Sequence, residues 1–143
     1  MPGSDFEHID VGHELPALHV TLTPEQVRRY AISARIPAGR FLNDEAARLE
    51  GLPGQIAPGN MSMAFFSRLL RESFPGTRLK RLSATFRVPV RPNQPLTVRG
   101  VVTEKHATDH GDFIECDLVL ESEDGERWVT GTASVHVPPS SEA

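Results

Sequence analysis

One helical segment of this sequence is apolar around most of its circumference, and it constrains the fold more than any other feature. It runs from about Asn60 to Glu72 and reads NMSMAFFSRLLRE. Only Arg68, Arg71 and Glu72 mark a narrow polar side. A helix this apolar must be wrapped by other elements in a small domain. The sequence therefore predicts a central, largely buried helix.

Four long segments after Thr77 change to a period of two, which is typical of strands. They read LKRLSATFRVPV, LTVRGVVTEKHA, DFIECDLVLES and RWVTGTASVHV, and the turns RPNQP, ATDHG and SEDGE join them. Short turns imply antiparallel neighbours, and the simplest packing wraps the sheet around the apolar helix. We predict an α+β fold with one domain over residues 1–143, a loop at 1–13 and a frayed tail at 138–143.

The N-terminal half is predicted to contain one strand and two short helices. Alternation indicates a strand at Leu15–Leu22. Thr23 and Gln26 form a capping box for a helix over about Pro24–Ser33. Asn43 caps a second short helix in the stretch NDEAARLEG. These elements place a proline- and glycine-rich loop, LPGQIAPG, just before the apolar helix.

Composition excludes several classes of function. The formal charge of −4 gives no field suited to nucleic acid. No apolar run approaches the roughly 20 residues of a membrane span, and the polar start MPGSDFEHID is unlike a signal peptide, so we expect a cytoplasmic protein. The lone Cys116 is expected to be a small strand residue. None of the six histidines has metal-ligand spacing, so we expect no metal and no cofactor.

Three stretches in order, GLPGQIAPGNMSMAF, FRVPVRPNQPLTVRG and DLVLESEDGERWVTGTASV, resemble the MaoC-like family of hot-dog proteins. The resemblance runs from about Phe6 to Pro138, and the family includes (R)-specific enoyl-CoA hydratases. It implies a hot-dog domain, hydratase or dehydratase (lyase) chemistry, and an acyl-CoA or acyl-carrier thioester as ligand. Hot-dog subunits commonly pair edge to edge, so we expect a homodimer or a heterodimer with another hot-dog subunit.

The family's acid–base pair is missing from its expected place. In the family, a segment of the form G-D-x-N-P-I-H-x-D-E precedes the apolar helix, and its first Asp and its His activate water. Aligning the D-E pair on Asp44 and Glu45 places Pro37 at the Asp and Leu42 at the His. Pro58 occupies the position of a second histidine that the family often has. Whether the chain is an enzyme therefore stays open.

The thioester-binding half of the family site is predicted to persist. The resemblance places the ligand carbonyl at the N–H groups of Gly59 and Asn60, where the dipole of the apolar helix is positive. Ser62 and Met63 fall in the first turn of that helix and are candidates to line the acyl pocket. In the alternative interpretation, Gly59 is only a turn residue and Met63 belongs to the core.

Other polar residues are candidates to bind ligand or to replace the missing pair. Arg35 and Arg40 flank the altered segment and suit a carboxylate or a CoA phosphate, or else lie in solvated loops. Asp44 is a weak candidate for a general base. In the alternative interpretation, its carboxylate only complements the positive end of a helix dipole. Asn43 and His19 are further weak catalytic candidates, the latter because the first strand should run beside the central helix.

Three functions remain open from the sequence. The chain could be a lyase on an acyl thioester whose catalytic groups lie elsewhere. It could be a non-catalytic subunit that pairs with an active hydratase chain. It could also be a repurposed pocket for another small hydrophobic ligand, for thioester hydrolysis, or for polyketide-type cyclisation.

Overall fold

The described part of the chain forms one antiparallel sheet, three α-helices and two short 3-10 helices. A computed structural model describes residues 6–36 and 38–139. The 3-10 helices are Phe6–His8 and Gly39–Phe41. The remaining elements in chain order are β1 Leu18–Thr21, α1 Pro24–Ser33, α2 Asp44–Leu49, α3 Gly59–Ser73, β2 Arg78–Phe86, β3 Pro95–Thr108, β4 Gly111–Ser122 and β5 Arg127–Val137.

All five strands belong to a single sheet with the order β1-β3-β4-β5-β2, and every pairing is antiparallel. The hairpins β3-β4 and β4-β5 form the centre, as the short turns predict. β2 and β1 occupy the two edges. The predicted α+β architecture is confirmed.

Helix α3 packs on one face of the sheet and supplies the centre of the core. Phe66, Leu69 and Leu70 are buried against inward-facing strand residues, among them Val98, Val102, Ile114, Leu118, Ala133 and Val135. Gly131 of β5 permits the closest approach, because a Cβ there would lie 3.2 Å from the Phe66 ring. The burial that the apolar sequence of this helix demands is thus provided by the concave face of the sheet.

Both edge strands are shorter than alternation alone predicts, and prolines give the reason. β1 begins at Leu18 rather than at Leu15, because Pro16 has no N–H for the ladder. Leu15 nevertheless donates its own N–H to Gly100 O at 2.9 Å. The sequence therefore predicts this strand but overestimates its length.

The end of β2 differs from the prediction for a related reason. The prediction carries the strand to Val90, whereas β2 ends at Phe86. The N–H groups of Arg87 and Val88 both donate to Trp128 O, at 2.9 and 3.1 Å, so the ladder breaks at this point. Pro89 then has no N–H to resume it. The chain turns here toward the start of α3.

Helix caps follow the sequence closely. Thr23 Oγ1 accepts from Gln26 N at 3.1 Å, and Thr23 N donates to Gln26 Oε1 at 2.9 Å. Asn43 Oδ1 accepts from Ala46 N at 2.7 Å. Phe6 packs against the core at the end of the expected N-terminal loop, where the 3-10 helix was not predicted. Residues 1–5 of that loop and 140–143 of the expected frayed tail lie outside the described residues.

Candidate functional site

A cavity of about 280 Å³ opens at the start of α3. Its walls come from the 3-10 turn with Arg40 and Phe41, from the loop before α3, and from the chain after β2. Apart from Arg40, Ser62 and Arg87, the lining consists of glycine and apolar residues. The cavity is therefore suited to a small, mostly apolar ligand with a polar group at one end.

The start of α3 presents unpaired backbone donors to this cavity. Pro58 occupies the N-cap position and offers no side-chain cap. Within the described chain, the N–H groups of Gly59 and Asn60 have no hydrogen-bond partner, whereas Met61 N bonds Pro58 O at 3.0 Å. Free N–H groups at the positive end of a helix dipole attract an oxygen that carries partial or full negative charge.

Ser62 adds a third donor in the first turn of α3. The residue is only 2% exposed and lines the cavity. Its hydroxyl makes no hydrogen bond to residues 6–36 or 38–139, yet every wholly buried side-chain polar atom in those ranges has a partner. The small exposed area of Ser62 therefore includes its hydroxyl oxygen, which faces the cavity.

Arg40 is held in place on the opposite wall. Its Nη1 donates to Glu50 Oε1 at 3.1 Å, and its backbone N donates to Glu50 Oε2 at 3.1 Å. The guanidinium carbon lies 4.7 Å from the centroid of the Phe41 ring. Buried Gln55 fixes this turn, since its Nε2 donates to Phe41 O at 2.8 Å and to Pro24 O at 3.1 Å. One ion pair leaves other guanidinium donors of Arg40 available.

Phe86 lies over the first residue of α3. A Cβ at Gly59 would be 2.9 Å from Phe86 Cζ and 3.1 Å from Cε1. Glycine is therefore required here for the close approach of this ring. The ring remains 52% exposed and forms one side of the cavity opening.

Arg87 also borders the cavity, but its guanidinium turns away. Its Nε donates to Thr130 Oγ1 at 3.4 Å. Thr130 precedes Gly131, which faces α3, so strand alternation puts Thr130 on the outer face of the sheet. Arg40 is thus the cation of the described lining whose guanidinium is not bonded to the outer face of the sheet.

None of the described residues that line the cavity is an Asp, Glu, His or Cys. Pro37, which the family alignment puts at the catalytic Asp, lies outside the described residues. Leu42, aligned with the catalytic His, borders a separate hollow beside α1, while Arg40 is the residue of this segment that reaches the cavity. The arrangement can bind an oxygen atom, but the described walls provide no ordinary general acid or base at neutral pH.

The weak catalytic candidates do not reach this cavity. Asp44 Oδ1 accepts from Gln55 N at 2.8 Å, so its carboxylate caps the loop before α3. Asn43 caps α2 and borders the hollow beside α1. His19 is exposed on β1 between Leu18 and Val20, which pack toward the core. Strand alternation therefore turns the His19 side chain outward, away from the core face of the sheet.

The predicted ligand-binding residues are only partly brought together. Arg40, Gly59 and Ser62 line the cavity, whereas Asn60 is exposed and lies outside the lining, although its N–H group has no partner among the described residues. Met63 is half-buried on α3 outside the lining, and Arg35 is exposed with a left-handed φ of 61°. Sequence reasoning missed Glu50 and Phe86 as site residues. Alternation could have pointed to the inward side of Phe86, whereas no sequence signal links Glu50 to Arg40.

Cys116 is not a hidden nucleophile. It is buried in β4, and burial raises the pKa of its thiol to about 12, with the neighbouring Glu115 and Asp117 carboxylates adding to the rise. A thiol with so high a pKa stays protonated and unreactive at neutral pH. This agrees with the sequence interpretation of Cys116 as a strand residue.

A larger but shallower groove, of about 400 Å³, lies on the outer face of the sheet. Arg99, Asp117 and Arg127 border it. Arg99 is already bonded to Glu121 at 2.6 Å. Since the groove is mixed in charge and distant from the start of α3, the smaller cavity is the better candidate for a small apolar ligand.

A single antiparallel sheet wrapped around one apolar helix defines a hot-dog protein. The family model described as MaoC like domain matches residues 10–122, and the chain therefore belongs to the MaoC-like family. No curated protein sequence matches the chain significantly.

Several solved structures share the fold. The (R)-hydratase from A. caviae involved in PHA biosynthesis aligns with a TM-score of 0.83 and 21% identity, over 92% of this chain and 99% of that chain. The ChsH1-ChsH2 complex from Mycobacterium tuberculosis aligns with a TM-score of 0.79 and 20% identity, over 90% of this chain and 98% of that chain. The C-terminally truncated HadBC (3R-hydroxyacyl-ACP dehydratase) complex from Mycobacterium tuberculosis aligns with a TM-score of 0.75 and 17% identity, over 92% of this chain and 97% of that chain. Likeness at these identities shows the fold alone.

Two searches of the described residues bear on other functions. Across residues 6–36 and 38–139, no three His, Cys, Asp or Glu side chains are grouped so that they could hold a metal ion. No helix in the same ranges is long and apolar enough to cross a membrane.

Proposed function

We propose that the chain binds the carbonyl end of an acyl thioester, or of a similar small acyl ligand, at the start of α3 and does not hydrate it. The observation that carries this proposal is the pair of unpaired donors in the cavity lining, the N–H group of Gly59 and the hydroxyl of Ser62, with the unpaired N–H group of Asn60 next to Gly59 in the chain. The apolar lining from Phe41 to Val90 would surround the acyl chain.

Hydration of an enoyl thioester needs one group that takes a proton from water and another that manages the proton at the α-carbon. The described lining of the cavity contains no carboxylate or imidazole that could perform either task. The same absence of a carboxylate or histidine argues against thioester hydrolysis at this cavity. Binding without chemistry is the function that this set of side chains favours.

A combined binding and hydration assay tests the proposal. Purified protein is titrated with crotonyl-CoA by calorimetry, and hydration of the double bond is followed by absorbance. We expect saturable binding without turnover above the uncatalysed rate. Turnover typical of an enzyme, about 1 s⁻¹ or faster, would refute the non-catalytic part, and absence of binding would refute the site.

Gly59→Val places side-chain atoms beside the free N–H groups and should abolish binding. Leu49→Ala is the matched control, because Leu49 is exposed on α2 and does not border the cavity. Near-ultraviolet circular dichroism separates loss of the site from loss of the fold. Unchanged binding by a folded Gly59→Val chain would contradict the assignment.

A second candidate function is that of a non-catalytic subunit paired with an active hot-dog chain. The observation that favours it is the position of β2 at an edge of the sheet, which leaves one side of a nine-residue strand unpaired within the described chain. Two of the structures with the same fold are complexes, ChsH1-ChsH2 and HadBC.

Light scattering of the purified chain, alone and mixed with a hot-dog hydratase from the same cell, tests this candidate. We expect a mixed oligomer and hydration activity above that of the partner alone. A stable homodimer that does not bind the hydratase would contradict this candidate and would favour a homo-oligomeric binding protein.

A further inference from the structure

The charged side chains in the described lining of the cavity at the start of α3 are all cationic. Arg40 is a cationic residue of the cavity lining, and the described lining contains no anionic side chain. The positive end of the α3 dipole acts in the same direction. An ordinary ester or thioester carbonyl requires none of this positive charge, because it is neutral.

Glu50 only partly offsets this charge. It accepts one Nη1 bond and one backbone N–H bond from Arg40, and it lies behind Arg40 rather than in the cavity lining. The pair is partly exposed, with side-chain accessibilities of 42% for Arg40 and 37% for Glu50. The other donors of the Arg40 guanidinium have no partner among the residues that the structure covers, so they remain able to bind a second carboxylate.

Ser62 supplies the independent observation that points to a ligand oxygen. A hydroxyl that is almost wholly buried normally has a partner, because an unpaired one loses hydration without compensation. Ser62 lines the cavity. A ligand oxygen at this position would accept from Ser62 and from the N–H groups of Gly59 and Asn60 together.

We infer that the cavity is a carboxylate-binding site, and that it binds a short organic acid in its ionised form more tightly than a neutral thioester of the same acyl chain. One carboxylate oxygen accepts from the start of α3 and Ser62, and the other accepts from Arg40. This inference rests on the proposed function of the same cavity and narrows its ligand class. At about 280 Å³ the cavity holds about nine water molecules of about 30 Å³ each, which is enough for a short acid such as hexanoate.

Three probes with the same acyl chain test the charge preference by calorimetry at neutral pH: hexanoate, the neutral amide hexanamide, and the neutral thioester S-hexanoyl-N-acetylcysteamine. We expect hexanoate to bind about tenfold or more tightly than hexanamide, as hydrogen bonds to a charged partner predict. Arg40→Gln should remove this preference. Ser62→Ala should weaken hexanoate binding by about twofold to tenfold.

Arg87→Gln is the matched control. It also removes a cation from the cavity lining, but the guanidinium of Arg87 points to the outer face of the sheet. It should retain the preference, as should Arg40→Lys in part. Thermal melting of each variant confirms folding. If Arg40→Gln fails to fold, the comparison of hexanoate with hexanamide in the unmodified chain and in Ser62→Ala still decides the question.

The outcomes separate this inference from the proposed function. Tight thioester binding with no preference for hexanoate over hexanamide would overturn the carboxylate site and leave acyl binding intact. Failure of all three probes to bind would overturn both. A hexanoate preference that persists in folded Arg40→Gln would overturn the role of Arg40.

Discussion

Replacement of Gly59 by alanine measures how closely the Phe86 ring packs over the start of α3. The added Cβ would lie 2.9 Å from Phe86 Cζ. Carbon atoms in favourable contact are about 3.5–4.0 Å apart, so the ring must retreat by roughly 0.6 Å or more. Because the ring is half-exposed, it can turn toward solvent. The overpacking cost should lie at the low end of the usual range, about 1 kcal/mol.

An opposing contribution comes from the unfolded state. Gly59 does not have a positive φ, so alanine adopts its backbone conformation without strain. The smaller entropy of the unfolded chain then stabilises the protein by about 0.4–1 kcal/mol. Gly59→Ala alone should therefore change the free energy of unfolding by less than about 0.6 kcal/mol. In a Phe86→Ala background, where the clash is absent, it should stabilise by about 0.4–1 kcal/mol.

Urea unfolding of the four chains, followed by fluorescence of the single and buried Trp128, gives the coupling energy. We expect about 1 kcal/mol between Gly59 and Phe86. Gly54→Ala is the control, because a Cβ there would meet only Asp44 and its effect should be the same in both backgrounds. A Gly59–Phe86 coupling below about 0.3 kcal/mol would refute the packing argument.

Three further predictions follow from buried contacts. Gly131→Ala should destabilise by about 3 kcal/mol, because its Cβ would lie 2.7 Å from Ser83 O of the neighbouring strand; a urea midpoint within error of the unmodified chain would contradict this. Gln55→Leu, which removes both donors of the buried amide, should lower the free energy of unfolding by about 2–4 kcal/mol, and urea unfolding will reveal whether it does. The Cys116 thiol should resist iodoacetamide until the chain unfolds, as mass spectrometry can show. The pKa of this thiol, about 12 in the folded chain, lies above its ordinary value of 9.0. Its contribution to stability should therefore be full below pH 9.0 and decline as the pH rises toward 12. An unfolding free energy of Cys116→Ala that declines equally over this range would contradict the assignment.

The architecture could be predicted from the sequence because its strongest signals are local. The apolar circumference of α3 and the period-two strands specify both elements and their contact without long-range information. The predicted ends of the strands were less accurate. The ladder breaks at Arg87 and Val88 because both N–H groups donate to the same acceptor, Trp128 O, on a distant strand. Such pairing between distant segments leaves no trace in a single sequence.

The site was harder to predict for the same reason. The sequence could name Gly59 and Ser62 as candidates because it indicates where the apolar helix begins. Arg40 was one of two candidates that the sequence could not separate, and the structure distinguishes them: Arg40 reaches the cavity, whereas Arg35 is exposed. Glu50, ten positions from Arg40, becomes its partner only through the folding of α2 back onto the 3-10 turn.

Pro58 gives the first turn of α3 no side-chain cap. An N-cap side chain normally stabilises a helix by about 1 kcal/mol, so a bound oxygen at Gly59 and Asn60 would serve as the missing cap. Ligand occupancy and the integrity of the central helix are then thermodynamically linked, and ligand would raise the melting temperature in proportion to the logarithm of its excess over Kd. In such a chain the concentration of the small molecule adjusts the stability of the fold, with no reaction required.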